Sequence, residues 1–347
     1  MKLYGQDWTR RELEARVGRI EQIGGIRRFQ LSEGPEAGVE QIQVRTGAGL
    51  TYYISPSRCM DISLAEFGGV PFSWQSANGD VHPSYFDAAG IGWLRTAVGG
   101  LLMTCGLTQV GAPCEDEGQE FGIHGRSHHL AARQVSSTAH WLGDEYVMQL
   151  SGVIQETAMF QENICLTRKI RSKLGKNQIE IKDTVENLGF EPTPHMILYH
   201  FNFGFPLMSE GTEIHFPSKR VVPRESKTPI EGYNRWHSPE AGYQERVYYH
   251  QEIIKDDNNF ASAKISNPRF PIATGECALS VVLSWSTSQL PKLVQWKMPG
   301  AGIHVLGIEP ANCYVEGRAV EKNRGGVRTL DPGESQTYEI NLELFID

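Results

Sequence analysis

The sequence predicts an all-β protein, a large antiparallel β-sandwich with a short helix near its start. Three observations predict it. Apolar residues recur with period 2 in several stretches, the pattern of half-buried strands. Glycine and proline, 36 and 18 of 347 residues, punctuate the chain often enough for many strands. Strand-like stretches also follow one another without intervening amphipathic helices, which argues against a βαβ fold and for a sandwich.

Taken in order, the first element is helical. Thr9 to Glu12 has capping-box spacing, and Leu13 and Val17 follow one turn apart. In "ISPSRCMDISLAEFGG", residues 54–69, Arg58 and Asp61 lie between two apolar strand-like pieces. They make either a polar turn with a solvated ion pair or one wall of a site. Residues 85–115 are Gly-rich with mixed periodicity and read as an irregular connection with one helical turn; Arg95 falls there, in "GWLRTAVGG". "YVMQLSGVIQ" and "ALSVVLSW" read as strands. In "QIEIKDTVEN" Ile179, Ile181 and, after a polar interruption, Val185 share a face. "TYEINLELFI" sets Tyr338, Ile340, Leu342, Leu344 and Ile346 on one face. "SEGPEAG", "NLGFEPTP" and "LDPGES" supply turns. With no repeat, low-complexity segment or composition break, residues 1–347 are expected to form a single domain.

Composition narrows the function. The chain is 40% hydrophobic, enough for a large core, and carries a formal charge of −8 with no Lys/Arg run. No nucleic-acid or anionic-membrane partner is therefore expected. The N-terminal stretch is polar, and nothing approaches the ~20 apolar residues of a membrane helix. Six scattered cysteines without a CxxC pair fit reduced thiols in the cytoplasm better than disulfides or a zinc site. There is no GxGxxG after a strand, no GxSxG elbow and no Cys set beside a His as a nucleophile. The oligomeric state is left open, a homo-oligomer included.

Polar residues inside apolar strands are the candidates for chemistry. In "ILYHFNFGFPL", residues 197–207, Ile197, Tyr199, Phe201 and Phe203 share one strand face, and Met196, Leu198, His200 and Asn202 the other. Both faces are largely apolar, so His200 and Asn202 must find hydrogen-bond partners or face a cleft. A satisfied core histidine is as good a reading of this strand alone. His195 would point to the opposite face of a regular strand, and Pro192 and Pro194 beside it place it in the entry loop. In "FGIHGRSHHLAARQ", Gly125 permits a tight turn from which His124 and Arg126 can project together, a pairing suited to hydroxyl-rich or anionic ligands. His124, His128 and His129 have a metal-like spacing, but "GIHG" is not helical and no acidic partner accompanies them, so no metal is expected. The strand "IHVLGI" ends at Glu309-Pro310, where Pro stops the ladder and can leave the carboxylate facing a cleft; a surface glutamate is the ordinary alternative. Arg318 and Glu316 read as a surface ion pair of little energetic weight. Trp296 and Lys297 wall a cleft or pack in the core.

Taken together, "SRCMDI" (57–62), "GGLLMTCGL" (99–107), "HGR" (124–126), "YHFNFGFPL" (199–207) and "IEPANCYVEGRA" (308–319) resemble the aldose 1-epimerase, or galactose mutarotase-like, superfamily, in particular its branch without an assigned substrate. The resemblance spans most of the chain and rests on the order of the motifs more than on any one. It implies a large sandwich with a sugar cleft and no cofactor. It also implies a sugar-binding histidine at His124, a general acid at His200 and a general base at Glu309. An arginine upstream of His-Gly is matched by Arg95, with Arg58 and Arg126 competing. An aspartate between the second histidine and the glutamate has no convincing counterpart, Glu245 being a weak substitute.

The reaction so implied opens a pyranose by deprotonating the anomeric hydroxyl and protonating the ring oxygen. Positioned acids and bases supply ~10²–10⁴-fold each. His200 must then be cationic, which its ordinary pKa near ~6.5 allows beside carboxylates; Asn202 can orient it. Two other readings stand beside this one. One is a non-catalytic carbohydrate-binding or sensing protein. The other is an epimerase of a modified sugar such as a keto-sugar or sugar acid, which Arg58, Arg126 and Arg318 would favour if they faced the cleft.

Overall fold

Two antiparallel sheets, of 8 and 12 strands, carry most of the chain in the computed structural model, which describes residues 1–346. They stack over one continuous apolar core to which both contribute, among others Leu166, Ile181 and Trp285 from the smaller sheet and Ile42, Tyr52 and Phe201 from the larger. The alternation read from sequence sets this arrangement. The Gln178–Asn187 strand turns Ile179, Ile181 and Val185 inward, and Ser335–Ile346 buries Tyr338, Ile340, Leu342 and Leu344 while Ile346 emerges into solvent. Before the sheets, Arg10–Glu14 forms the expected short helix, with the Thr9–Glu12 capping box closed in both directions and Leu13 buried. Among the described residues no helix is long and apolar enough to cross a membrane.

The polar interruption in "QIEIKDTVEN" proves to be an inward-facing charge. Asp183 is buried and receives Arg168, whose guanidinium also donates to Asp61 Oδ1 (2.7 Å), to the Cys59 carbonyl (3.1 Å) and to Thr104 Oγ1 (2.8 Å). Tyr199 Oη donates to the same Asp183 carboxylate at 2.8 Å. Arg168 and Asp183 belong to the smaller sheet and Asp61, Thr104 and Tyr199 to the larger, so this network ties the two layers together.

Residues 85–115 depart from the expected irregular connection. They hold the short turn Gly92–Arg95 and then a fully buried strand, Leu102–Leu107, hydrogen-bonded in register to Thr193–Gly204. A strand buried on both faces reads as a continuous apolar run without alternation, which hid it. Thr193–Gly204, the histidine strand, lies between Leu102–Leu107 and Ile303–Ala311, the glutamate strand. Its Ile197, Tyr199, Phe201 and Phe203 enter the main core. Met196 and Leu198 join a second, smaller cluster on the outer side with Met103 and Val294. His195 turns to the core side, bonded to the Leu107 carbonyl at 2.9 Å and Tyr338 Oη at 2.7 Å. The glutamate strand does not stop at Pro310, as expected, but pairs with Lys292–Gly300 as far as Ala311.

Candidate active site

On the outer side of the 12-stranded sheet a cleft of about 360 Å³ opens over the histidine and glutamate strands. Strand register builds its floor. Leu198 pairs with Ala311 and Phe201 with Ile308, so the same register sets His200 opposite Glu309. The ladder is interrupted at two rungs, Tyr199–Pro310 and His200–Glu309, where Pro310 has no N–H to donate. His200 Nε2 and Glu309 Oε1 stand 3.2 Å apart, both side chains buried. They are close but not aligned as a hydrogen bond, for Glu309 Oε1 and His200 Nδ1 have no hydrogen-bond partner.

Burial dominates the electrostatics of the pair. It holds His200 down to about 3, with the nearby His124 and His128 pushing the same way and the Asn202 side chain favouring the charged ring. It raises Glu309 well above the carboxylate range, with Glu245 adding to the effect and Arg224 opposing it. Burial therefore works against the cationic His200 expected from sequence as well as against an ionised Glu309. A low-dielectric floor disfavours charge on either group, and neutral carboxylic acid beside neutral imidazole avoids both charges.

His124 reaches the cleft because its backbone is left-handed, φ 58°, in a turn completed by Gly125 at φ 73°. A Cβ at Gly125 would lie 2.4 Å from the carbonyl oxygens of both Gln109 and Gly106, so only glycine fits. The His124 ring meets His200 edge-on, centroids 6.0 Å apart, and is held at about 4 by burial and the charge of Arg224. Indoles make the walls. Trp296 lies 5.5 Å from His200 and 5.9 Å from Trp74, and Trp93 lies 5.2 Å from His124. Glu245 Oε2 accepts from Trp296 Nε1 at 3.0 Å, and Arg224 stands 3.7 Å from the other Glu245 oxygen while bonding Glu225 at 3.0 Å.

Of the residues singled out in the sequence, His124, His200, Glu245, Trp296 and Glu309 line this cleft. Asn202 lies buried on the same strand face, donating to the carbonyls of Gly100 and His200 at 3.1 Å each and leaving Oδ1 without a partner. The arginines disperse. Arg58 is buried outside the cleft, bonded to the Val81 carbonyl. Arg95 and Arg126 are exposed and outside the cleft, so His124 and Arg126 do not project together. Arg318 pairs with Asp116 at 2.9 Å rather than with Glu316, which instead accepts from Tyr249 Oη at 2.7 Å. Asp61 belongs to the interlayer network, and Lys297 turns to the other face, bonding the carbonyls of Gly232 and Arg235. His128 bonds Asp61 (2.7 Å) and His129 bonds Thr96 (2.9 Å).

Sequence reading missed Arg224, Trp74 and Trp93. Arg224 follows a strand in the polar stretch "VVPRESKTP" and carries no local signal. The two tryptophans lie in segments without periodicity. The resulting cavity, apolar at the sides and holding an acid and a base 3.2 Å apart on its floor, can move protons between two oxygens of one small ligand while aromatic faces hold its ring.

The fold recurs in solved proteins. A Klebsiella pneumoniae protein assigned by inference to the aldose 1-epimerases superposes with a TM-score of 0.85 at 24% identity, over 94% of this chain and 86% of that one. A galactose mutarotase-like protein from Clostridium acetobutylicum gives 0.63 at 17% identity, covering 94% and 100%. Galactose 1-epimerase from Lactobacillus acidophilus gives 0.57 at 10%, covering 92% and 98%. The architecture is thus the galactose mutarotase-like β-sandwich that the motifs led us to expect. No curated protein matches the chain. The model of the family described as a domain of unknown function, DUF4432, matches residues 36–344, and the chain belongs to that family.

Proposed function

We propose that the protein is an isomerase interconverting the anomers of a sugar, with His200 and Glu309 as its acid–base pair. The observation that carries this reading is the opposition of the two side chains across adjacent strands, 3.2 Å apart on the floor of an aromatic-walled cleft. The anomeric hydroxyl and the ring oxygen are bonded to one carbon, so two groups this close reach both.

In the state burial favours, neutral His200 takes the proton of the anomeric hydroxyl while protonated Glu309 gives its own to the ring oxygen. The bond from C1 to the ring oxygen breaks, leaving an open-chain aldehyde, imidazolium and carboxylate. After rotation about the C1–C2 bond, Glu309 recovers the proton from the hydroxyl and His200 returns one to the aldehyde oxygen. The ring closes on the other face and the starting proton distribution is restored. Acid and base are thus exchanged relative to the roles the family resemblance implied. Asn202, whose side chain favours the charged form of His200, supports the imidazolium that forms midway. On the same proposal the protein works in the cytoplasm, a reading its six scattered cysteines without a CxxC pair support.

The test is anomer exchange followed by NMR over a panel of aldoses. Acceleration for at least one sugar, reduced by 10²-fold or more in His200→Gln and in Glu309→Gln with the fold retained, is expected. Sugar binding with no acceleration would make the cleft a non-catalytic carbohydrate site.

A further inference from the structure

Resting on the anomer-exchange reading above, we propose that the preferred substrate is a 6-deoxyhexopyranose, a sugar with a methyl group where common hexoses carry a hydroxymethyl. The row of side chains that contains the acid–base pair carries this. Met103 pairs with His200 and Val294 with Glu309, so the order across four adjacent strands is Met103, His200, Glu309, Val294. Neighbouring strands lie ~4.8 Å apart, so both apolar side chains stand one step from the reacting atoms. Both line the cleft and both are buried.

A pyranose seated with its anomeric hydroxyl and ring oxygen on the pair places C5 beyond the ring oxygen along this row. With Glu309 serving the ring oxygen, the substituent on C5 meets Val294; with the roles exchanged it meets Met103. Neither offers a useful hydrogen bond. A methyl group suits that position, whereas a hydroxyl there gives up water without replacement.

The remaining polar side chains agree. Beyond the pair, the polar side chains lining the cleft, indoles aside, are His124, Arg224 and Glu245, none of them in the row that holds Met103 and Val294. The one cation among them, Arg224, already faces Glu225 and Glu245, so the cleft holds no uncompensated positive charge for a sugar acid.

The experiment compares matched pairs that differ only in the C6 oxygen: D-galactose with 6-deoxy-D-galactose, D-glucose with 6-deoxy-D-glucose, and L-mannose with 6-deoxy-L-mannose. NMR anomer exchange gives kcat/KM for each. The deoxy member is expected to be favoured by on the order of 10- to 100-fold, the discrimination an apolar pocket achieves against an added hydroxyl. Val294→Thr, close to isosteric, is expected to narrow that ratio, and Met103→Gln to do so if His200 serves the ring oxygen. A hexose turned over as well as its deoxy partner in all three pairs overturns the inference and leaves the anomer-exchange reading standing. A ratio unchanged in both variants overturns the part given to these side chains. Exchange accelerated for no sugar overturns that reading and the inference together.

Discussion

A side chain at position 307 would put its Cβ 2.5 Å from Glu309 Oε1, 2.9 Å from Trp296 Cβ and 3.3 Å from His200 Cε1. Gly307 is two residues from Glu309 on the same strand face and directly opposite Asn202, so it leaves the space the pair occupies. Its φ is ordinary, and the need for glycine here is one of volume. Gly307→Ala is therefore expected to push Glu309 away from His200. Overpacking of this kind costs ~1–3 kcal/mol, so the protein should still fold. Sugar turnover should fall by about 10-fold or more, since misplacement by an ångström can cost ~10²-fold. Exchange kinetics beside a thermal melt checks this; wild-type turnover in Gly307→Ala would mean the pair tolerates separation. Trp296 belongs to the same scale. Its indole N–H is held by Glu245 while its ring edge meets His200, so Glu245 acts on the floor of the cleft through the wall.

Single strands show what patterning can and cannot report. The alternation in Gln178–Asn187 and Ser335–Ile346 was legible because apolar residues there outnumber the exceptions. Asp183 looked like a polar break and is instead the anchor of Arg168, which four other strands or loops address. Its burial depends on a residue in the neighbouring strand, and local spacing carries no record of that. Arg168→Met is expected to be strongly destabilising, by ~3–5 kcal/mol, because it leaves Asp61 and Asp183 buried with no cation between them. A urea melt reads the loss directly. Arg168→Met with Asp61→Asn and Asp183→Asn should recover part of it, since the uncompensated charges are then gone. If Arg168→Met left the midpoint where it is in the wild type, the network would not bind the sheets energetically. The glutamate strand teaches a related point. Proline was read as the end of the ladder, yet it is accommodated by breaking the pairing with the histidine strand only at the Tyr199–Pro310 and His200–Glu309 rungs.

For the whole molecule, buried histidines couple stability to pH. His124, His195 and His250 are held down to about 4 and His200 to about 3, chiefly by burial. In the unfolded chain each takes up a proton near its ordinary pKa of about 6.5. Between these limits the unfolded state binds more protons, so stability falls as pH drops from about 6.5 towards 4. Glu309, Glu156 and Asp80 are raised by burial and act the other way, the folded state keeping protons that the unfolded state releases above about 4.5. The histidines held down by burial, His128, His129 and His304 among them, outnumber these carboxylates, so the urea midpoint is expected to decline from pH 6.5 to 4.5. A midpoint constant over that range would show the imidazoles charging inside the fold.

How much of this was legible before folding follows from range. Period-2 alternation, capping and turn chemistry act between residues a few positions apart, and from them the chain alone determined an antiparallel β-sandwich, its short helix and several of its strands. The order of His124, His200 and Glu309 in their motifs was equally available. What the tertiary structure decided was convergence. Register across the sheet set His200 against Glu309, brought Arg224, Trp74 and Trp93 to the same cleft, and sent Arg58, Asp61 and Arg318 to buried partners elsewhere. The protonation of the pair was decided there too, because an imidazole and a carboxylate that look alike in any sequence acquire their charge from the water that the fold removes around them.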